Sequence, residues 1–535
     1  MAEPIIRVAA KEDEANEEQG ELKSLYSKLE SFRFPALQRA RDCALFTIPT
    51  LMPPAGHSTS TKYPTPYQSV GARGLNNLAS KLLLAFLPPS VPPLKLDVEQ
   101  AVLEQFGETR GAIEQAMSRI EIDAKRDVDA SNTRQAFFEV LKQLLVAGNA
   151  LLFVPPKTSD LRVFKLDRYV VKRDVMGNLL KLVIKEDISP SMLSASVRVA
   201  CQVTDQMIEN GKMVELYTGI QWDEDLQRYE VEQEVNNLPV PDSNGFYPRD
   251  KLPYLAVRLV SVDNEDYGRG YVEEYLGDLQ SLEGLSRSIV EGSAAAAKMV
   301  WFVNPNGVTS QKTVSRAPNN AVLTGNAADV TVLQSQKQAD LRVAQETAGM
   351  VAERLGYAFL LNTAVQRSGE RVTAEEIRFM ARELDDGLGG IYTVLTQSLL
   401  LPWINLHMDR LRAMKKIPAL PKDIVRPVVS TGIEVLGRSQ DLEKLQMLVT
   451  VLEKLGLMNW LHQGELITRV TTSLAVETNG LIKTQEEVDA EAAQAKKDQL
   501  AMAVAPNLTN QLGNVATTAM QAQAAPAEAP PPEGM

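Results

Sequence analysis

Two arginines and a glutamate lie close together in a short polar stretch, 362–372, and could bind phosphate. Arg367, Glu370 and Arg371 stand beside Gly369 in this stretch. A guanidinium group can hold a phosphate through two hydrogen bonds, whatever base the nucleotide carries. The residues alone favour a simpler interpretation, a solvated loop with an internal ion pair to Glu370, because exposed ion pairs are common and weak. Both interpretations stay open at this point.

No residue pattern in the chain indicates catalysis. The nearest match to a phosphate-binding loop, Gly211-Lys212, is followed by Met213 and lacks the first glycine of that motif. No Gly-x-Ser-x-Gly nucleophile motif is found. Histidines lack His or Cys partners at ligand spacing, and they stand far apart at His57, His407 and His462. The sequence therefore predicts no enzyme, no metal site and no cofactor.

Helical patterns surround the polar stretch and must position it. Apolar residues recur every three or four positions over Val272–Ile289 and again over Leu341–Leu355, which predicts two amphipathic helices. After the stretch, Thr373–Glu376 has the form of a capping box and predicts the start of a long helix, which Pro402 should break or kink. Periodicity alone leaves open whether these apolar faces bury within one chain or between chains.

The pattern changes between the two predicted helices. The first helix runs into Ala294–Ala297, whose small side chains let a neighbouring helix come close. Ala294, Ala296 and Ala297 are therefore candidate contacts to a neighbouring helix. The chain then shows a turn signal at Asn304–Gly307 and short β-like runs at Ala321–Thr324 and Val330–Leu333.

Composition limits the classes of protein that fit. The chain has 535 residues, 44% of them hydrophobic, and a formal net charge of −12. An acidic chain of this kind does not grip DNA over its whole surface, because duplex binding depends on clustered Lys and Arg. Cys43 and Cys201 form no disulfide framework and suit a reducing compartment. The polar, acidic N-terminus predicts no signal peptide, and no apolar run is long enough to cross a bilayer.

The first half of the chain changes its hydrophobic period. Helical patterns, including Ala112–Ile122 and Asn132–Ala147, precede Leu151. From Leu151 to Val260 the period is two, and short β-rich runs alternate with turns, which predicts an antiparallel sheet region. Because helical blocks flank this region, the predicted fold class is α+β, mostly α.

Five ungapped strings resemble one known family. They resemble the portal proteins, the head-to-tail connectors, of short-tailed phages of the autographivirus type, and the resemblance extends from about Leu37 to Asp441. The strings are Val70–Lys81, Leu144–Asn149, Tyr267–Leu279, Asn362–Ile377 and Ser430–Ile433. Such long strings are poorly explained by chance.

This resemblance implies an order of domains. A portal-type subunit has a β-rich wing, two stem helices joined by a clip, a tunnel loop, a long helix and a helical crown. The implied bounds are wing 1–266, stem helix 267–299, clip 300–339, stem helix 340–361, tunnel loop 362–372, long helix and remaining wing 373–438, crown 439–502 and flexible tail 503–535.

The resemblance also implies partners. Twelve subunits would form a ring at one capsid vertex of the virion, assembled in the host cytoplasm, and double-stranded DNA would pass through its channel. Further partners would be capsid and scaffolding proteins, the packaging ATPase (terminase), a tail adaptor protein, and internal core proteins at the crown. In this arrangement Arg367, Glu370 and Arg371 belong to the tunnel loop. The candidate subunit contacts are Ala294, Ala296 and Ala297. The clip residues Lys312, Arg316 and Lys337 are candidate tail contacts.

Local charge agrees in part with a DNA channel. Residues 271–300 carry five acids and two bases, a net charge of −3, whereas 301–339 carry +2 and 362–372 carry +1. An acidic stem repels phosphate, and repeated copies of a basic loop would place a ring of guanidinium groups at one level.

Two other classes of protein remain as alternatives. An oligomeric scaffold or adaptor that conducts no DNA also lacks enzymatic motifs, and imaging would separate it from a ring with an open channel. A packaging ATPase-nuclease is disfavoured because the phosphate-binding loop is missing.

Overall fold

The computed structural model describes most of the chain up to residue 418 and short segments beyond it. The described residues are 20–58, 60–89, 92–98, 110–297, 300–333, 338–361, 390–418, 425–429, 447–456 and 494. The chain divides into two units, Met1–Gly437 and Arg438–Met535. In the second unit the structure describes a helical segment, 447–454, and the turn that follows it.

Helices of very different lengths hold more of the described residues of the first unit than strands do. In the described residues they are α1 Glu21–Leu45, α2 Val70–Phe86, α3 Arg110–Ala130, α4 Thr133–Ala147, α5 Ala195–Ala200, α6 Asp205–Glu209, α7 Tyr271–Glu274, α8 Leu276–Ala296, α9 Gln311–Arg316, α10 Gln338–Ala358, α11 Ile391–Leu395 and α12 Leu401–Ala413. A π-helical turn, Thr396–Leu400, joins the last two helices directly ahead of Pro402. The predicted break at this proline is thus a local widening, and the helix continues through it.

The strands form four antiparallel sheets in the described part of the chain. They are β1 Leu94–Val98, β2 Asn149–Phe153, β3 Arg162–Phe164, β4 Tyr169–Arg173, β5 Leu179–Ile188, β6 Val214–Asp223, β7 Arg228–Val235, β8 Leu238–Pro239, β9 Gly245–Pro248, β10 Tyr254–Arg258, β11 Val300–Val303, β12 Val330–Leu333 and β13 Val425–Val429. The largest sheet has the order β4-β5-β6-β7-β8, with β9 also on β7, and a three-stranded sheet has the order β10-β2-β3. Two further ladders pair β1 with β13 and β11 with β12.

Helix α1 lies across the six-stranded sheet. Its residues Leu22, Tyr26 and Leu29 are buried against side chains of β4, β5 and β6. A Cβ on Gly219 in β6 would overlap Leu22, so glycine allows the close approach. The guanidinium group of Arg33 donates to the backbone oxygens of Asp167 and Tyr169, at 2.8 and 3.0 Å, and so joins the helix to the chain entering β4.

The main hydrophobic core lies between α2, α4, the three-stranded sheet and α12. Phe86, Phe137 and Trp403 are fully buried there, and the rings of Phe137 and Trp403 meet edge to face at 4.9 Å between centroids. Burial of such large aromatic side chains supplies much of the driving force for folding.

A buried polar cluster fixes α12 to α3. The carboxylate of Asp127 accepts hydrogen bonds from Arg410, at 3.2 Å, and from Lys416, at 2.5 Å. Arg410 also donates to Nδ1 of His407 at 2.8 Å, which leaves Nε2 as the protonated nitrogen facing the oxygen of Ala124. Burial, together with the charge of Arg410, lowers the pKa of His407 to about 4. Burial would raise the pKa of Asp127, but the bond from Lys416 and the neighbouring positive charges hold it below its ordinary value.

The predicted fold class, α+β and mostly α, is confirmed, whereas several element bounds differ from the prediction. Helix α3 extends to Ala130 and β11 was not predicted. Ala321–Thr324 forms no strand, because nothing in the described clip pairs with it. Pro427 lies within β13 opposite Leu96. The described residues contain no helix that is long and apolar enough to span a membrane.

Candidate functional site

Helices α8 and α10 pack against each other and form a helical hairpin, and the chain enters this hairpin through a braced turn at Tyr267–Gly270. The side chain of Asn149 donates to the oxygen of Gly268 at 3.0 Å and accepts from its nitrogen at 2.8 Å. Gly148 has a φ of +69°, and a Cβ there would overlap the carbonyl of Arg269. Two of the family-like strings, 144–149 and 267–279, therefore fit against each other. The predicted stem helix begins only after this turn.

Aromatic side chains of α7, and of Tyr275 between α7 and α8, pack against the end of α10. The hydroxyl of Tyr271 donates to the oxygen of Ala358 at 2.9 Å. The rings of Tyr271, Tyr275 and Phe359 lie 5.1 to 6.1 Å apart between centroids. Burial raises the pKa of Tyr271, which keeps its hydroxyl protonated as a donor.

Helix α2 packs through two glycines against the base of the hairpin, where α8 begins and α10 ends. A Cβ on Gly74 would lie 2.6 Å from Cγ of Phe359, and a Cβ on Gly71 would lie 3.2 Å from Cδ2 of Leu279. Since Phe359 and Leu279 are fully buried, neither contact can open toward solvent. The string Val70–Lys81 is thus the surface on which the hairpin rests.

The hairpin carries more acids than bases. Together α8 and α10 hold six carboxylates and three arginines, a net charge of −3. Glu283 accepts hydrogen bonds from the backbone nitrogens of Tyr67 and Gln68, at 2.9 and 3.1 Å. Asp278 pairs with Arg354 across the hairpin at 2.7 Å. The negative charge is therefore partly used for positioning the two helices.

Only the base of the hairpin is buried in the described subunit. Leu279, Leu282, Val351 and Leu355 are buried there. Further along, Val290 and Val343 face solvent with exposed fractions of 53% and 62%. On the outer side of α10 nearer the base, Met350 and Tyr357 are 62% and 64% exposed. Such an exposed apolar face is typical of a surface that another chain covers.

The small residues at the end of α8 do not all face the same way: some face α10 and others face solvent. Gly292 approaches α10 so closely that a Cβ on it would lie 2.7 Å from Cδ2 of Leu341. Ala296, one helical turn further on, is half-buried, whereas Ala294 and Ala297 are exposed. Within one subunit, α10 therefore uses part of this face, and Ala294 and Ala297 stay open.

The segment between the two helices, the clip (300–339), is held by hydrogen bonds in its described part. The carboxylate of Asp329 accepts from the nitrogens of Val308 and Thr309, at 2.9 and 3.1 Å. A Cβ on Gly307 would overlap this carboxylate. The strands Val300–Val303 and Val330–Leu333 close the segment in antiparallel register. The clip is thus an ordered module with few buried apolar side chains.

The clip exposes positive charge. Lys312 and Arg316 lie on or beside the short helix α9, both exposed, and neither forms an ion pair within the described residues. Lys337 lies outside the described residues. The apolar side chains of Trp301 and Phe302 are also more than half exposed, at 56% and 54%. A basic and partly apolar surface of this kind suits an acidic or amphipathic partner.

The predicted phosphate-binding residues cannot be placed. Arg367, Glu370 and Arg371 lie outside the described residues, as do the capping box at Thr373 and most of the predicted long helix. The described segment 338–361 ends just ahead of this stretch. Near its end the side chains of Asn77 and Lys81 donate hydrogen bonds to the backbone oxygens of Phe359 and Leu360. Sequence analysis missed Asn77 and Lys81, although their four-residue spacing in the string Val70–Lys81 places them on one helix face.

No cluster of three or more His, Cys, Asp or Glu side chains that could hold a metal ion occurs in the described part of the chain.

Comparisons with known proteins decide the family. A family model described as the bacteriophage head to tail connecting protein matches residues 19–477. The chain is 39% identical to the portal protein of Escherichia phage T7 over 520 residues, which cover 95% of this chain and 96% of that protein. The chain belongs to the portal, or head-to-tail connecting, proteins of bacteriophages. It is also 40% identical to the portal protein of Enterobacteria phage T3 over 477 residues, covering 88% and 89% of the two chains.

Membership of this family confirms the resemblance drawn from the five strings. Portal proteins are structural components of the virion at the junction of head and tail. Among solved structures, the neck of an empty GTA particle computed with C6 symmetry matches with a TM-score of 0.36 and 12% identity, covering 71% of this chain and 86% of that one. A likeness this low carries no further conclusion.

Proposed function

We propose that this portal subunit assembles into a ring of twelve copies whose central channel conducts double-stranded DNA during packaging and ejection. The observation that carries the proposal is the helical hairpin, whose base is buried and whose outer part exposes apolar side chains. Neighbouring hairpins in a closed ring would cover these side chains, because a repeated contact between identical chains can close on itself. Ala294 and Ala297 would lie in that contact, and Ala296 at its edge.

The charge of the hairpin supports its place along the channel. A net charge of −3 per hairpin would repeat around the ring. Phosphates are repelled by such a wall, so duplex DNA would slide along it without binding tightly. A basic wall would instead retain DNA, because its cations would neutralise phosphates and release counterions.

Residues 362–372 are proposed as the tunnel loop. Arg367 and Arg371 would contact phosphates, with Glu370 orienting one of them, and the contacts would not depend on DNA sequence. The stretch follows the end of α10 directly, so the base of the hairpin would set where it enters the channel.

The remaining partners are assigned by segment. The exposed clip, with Lys312, Arg316 and Lys337, would bind the tail adaptor protein and, earlier, the packaging ATPase. The wing would contact capsid and scaffolding proteins, and the crown at 439–502 would face internal core proteins. Assembly would take place in the host cytoplasm, before the ring is built into the capsid vertex.

Arg367→Ala tests the tunnel loop. We expect rings to form normally but packaging or retention of the genome to fall, equally for any DNA sequence. Arg367→Lys should rescue only in part, because lysine keeps the charge and loses the planar fork. The control is Arg126→Ala on α3, whose side chain is 70% exposed and paired with Asp123 at 3.2 Å. Packaged genome length is measured in each particle, and full, stable genomes with Arg367→Ala would refute the assignment.

The alternative, a scaffold or adaptor that conducts no DNA, makes a different prediction for the particle. Imaging of purified assemblies should reveal an open channel wide enough for duplex DNA. A closed bundle or a filament would favour the scaffold.

A further inference from the structure

Helix α10 ends in a hydrogen-bonded turn, Phe359–Leu361, which we call the exit turn. The nitrogen of Leu360 donates to the oxygen of Tyr357 at 3.1 Å, and that of Leu361 to the oxygen of Gly356 at 2.7 Å. This pair of bonds is the Schellman arrangement, which needs a left-handed residue just past the helix. Leu360 occupies that position with a φ of 53°.

Leucine is an unfavourable residue for this conformation. Glycine usually takes the position because a Cβ crowds the following carbonyl oxygen. A strained residue of this kind persists only where its surroundings fix the backbone. The exit turn should therefore have partners outside α10 that hold it.

Two side chains from α2 supply these contacts. Nδ2 of Asn77 donates to the oxygens of Phe359 and Leu360, at 3.1 and 2.9 Å. Nζ of Lys81 donates to the oxygen of Leu360 at 3.0 Å. Lys81 is only 5% exposed, and a buried ammonium group is tolerated where it makes hydrogen bonds of this kind. The two residues together hold the carbonyl of Leu360 between an amide and a charge.

The exit turn also packs closely against α2. Gly74 lies one turn before Asn77 on the same helix face and touches the ring of Phe359, which is fully buried. Contact through Gly74 sets the distance between the helix and the turn, and the bonds from Asn77 and Lys81 set its direction.

We propose that Asn77 and Lys81 are positioning residues that fix the direction in which the chain leaves the hairpin toward 362–372. They thereby set the level at which Arg367 and Arg371 meet DNA, a consequence that rests on the proposed function. A change of Leu360 to the right-handed region would redirect all the chain that follows, because two backbone dihedrals control its course. The bonds to Tyr357 and Gly356 favour the left-handed form. The hydrogen bonds from Asn77 and Lys81, which we call the α2 clamp, add the contacts that hold a leucine in it.

The first test measures amide hydrogen exchange in assembled rings. Asn77→Asp keeps the shape of the side chain but replaces the donor with a carboxylate facing two carbonyl oxygens. Lys81→Met removes the ammonium group and leaves Asn77 in place, so it carries the test where Asn77→Asp yields no rings. The matched control is Asn76→Asp, because Asn76 is the exposed neighbour on α2.

Exchange of the amides of Phe359–Leu361 should become faster by about tenfold or more in Asn77→Asp, the factor expected for losing a hydrogen bond worth about 1.4 kcal/mol. Lys81→Met should change in the same direction, and Asn76→Asp should match the unaltered ring. Equal exchange in all four rings would overturn the proposal.

A second measurement separates this inference from the proposed function. Genome retention should fall in Asn77→Asp and Lys81→Met particles but not in Asn76→Asp particles. Exchange could be faster in Asn77→Asp and Lys81→Met while both variants and Arg367→Ala keep full genomes. That result would support the structural role of Asn77 and Lys81 and refute the contact between Arg367 and DNA. Loss of retention in Arg367→Ala alone would refute the positioning role of Asn77 and Lys81.

Discussion

Substitution of Gly74 by alanine is the sharpest test of how α2 holds the hairpin. A Cβ at this position would lie 2.6 Å from Cγ, 2.7 Å from Cβ and 2.9 Å from Cδ2 of Phe359. These atoms belong to the near end of a rigid side chain that is fully buried, so the ring cannot swing away. Relief requires movement of α2 or of the exit turn.

Two opposing effects determine how Gly74→Ala changes the free energy of unfolding. Alanine favours the helix over glycine by about 1 kcal/mol. Overpacking of a dense core costs about 1–3 kcal/mol. Gly74→Ala should therefore lower the free energy of unfolding by up to about 2 kcal/mol, although the same substitution stabilises an open helical site.

Gly284→Ala is the matched control. Gly284 lies in the interior of α8, and a Cβ there would meet no atom within 4 Å. Alanine should stabilise the unassembled subunit by about 0.5–1 kcal/mol at this site. Both variants are compared by urea unfolding of unassembled subunits, so that contacts between copies do not contribute. If Gly74→Ala proved as stable as Gly284→Ala, the close contact between α2 and Phe359 would be wrong.

Two further predictions concern the clip and the buried cluster. Replacing Asn304–Gln338 by a short Gly/Ser linker should leave folded subunits and rings but abolish tail attachment, counted as tailed particles in micrographs; normal tailing would exclude the clip as the docking surface. His407 stays neutral in the folded state down to its pKa of about 4, whereas the unfolded chain takes up this proton near pH 6.5. Its contribution to stability is therefore complete above pH 6.5 and is lost as pH falls toward 4. The free energy of unfolding, measured in urea, should depend less on pH over this range in His407→Gln than in the unaltered chain. An unchanged pH dependence would contradict this prediction for His407.

Much of the fold could be predicted because local patterns carry it. Strands β3 to β10 lie within the region where the period of two predicts a sheet, and α4 begins one residue inside its predicted range. Pairing of β1 with β13 could not be predicted, since the two strands lie more than three hundred residues apart and hydrophobic period carries no information about partners. The opposite failure occurs at Ala321–Thr324, which has a β-like composition but no neighbouring strand in the described clip.

The candidate site was predicted unevenly for a similar reason. Helical periodicity located the two helices of the hairpin, and the strings that resemble portal proteins included the residues at its base. The roles of Asn77 and Lys81 depend on a carbonyl at Leu360, far away in the chain, that only the tertiary fold brings within 3.0 Å. A polar side chain on a helix face shows its periodicity in the sequence but not its partner. The left-handed turn at Leu360 was equally hidden, because leucine gives no turn signal.

The small residues at the end of α8 show how the fold refines a prediction that spacing left open. Gly292 and Ala296 are four residues apart and share a face, and Gly292 is in contact with Leu341 of α10. Ala296 therefore lies on the face that Gly292 turns toward α10, and it is half-buried in a single subunit. Ala294 and Ala297 lie off this face and are exposed in the subunit. Because no contact among the described residues needs them to be small, we attribute any requirement for a small side chain at these two positions to a second copy. The apolar residues that face solvent further along the hairpin, such as Val290 and Val343, point to the same conclusion, since their burial in one chain would need a surface that the described subunit does not provide.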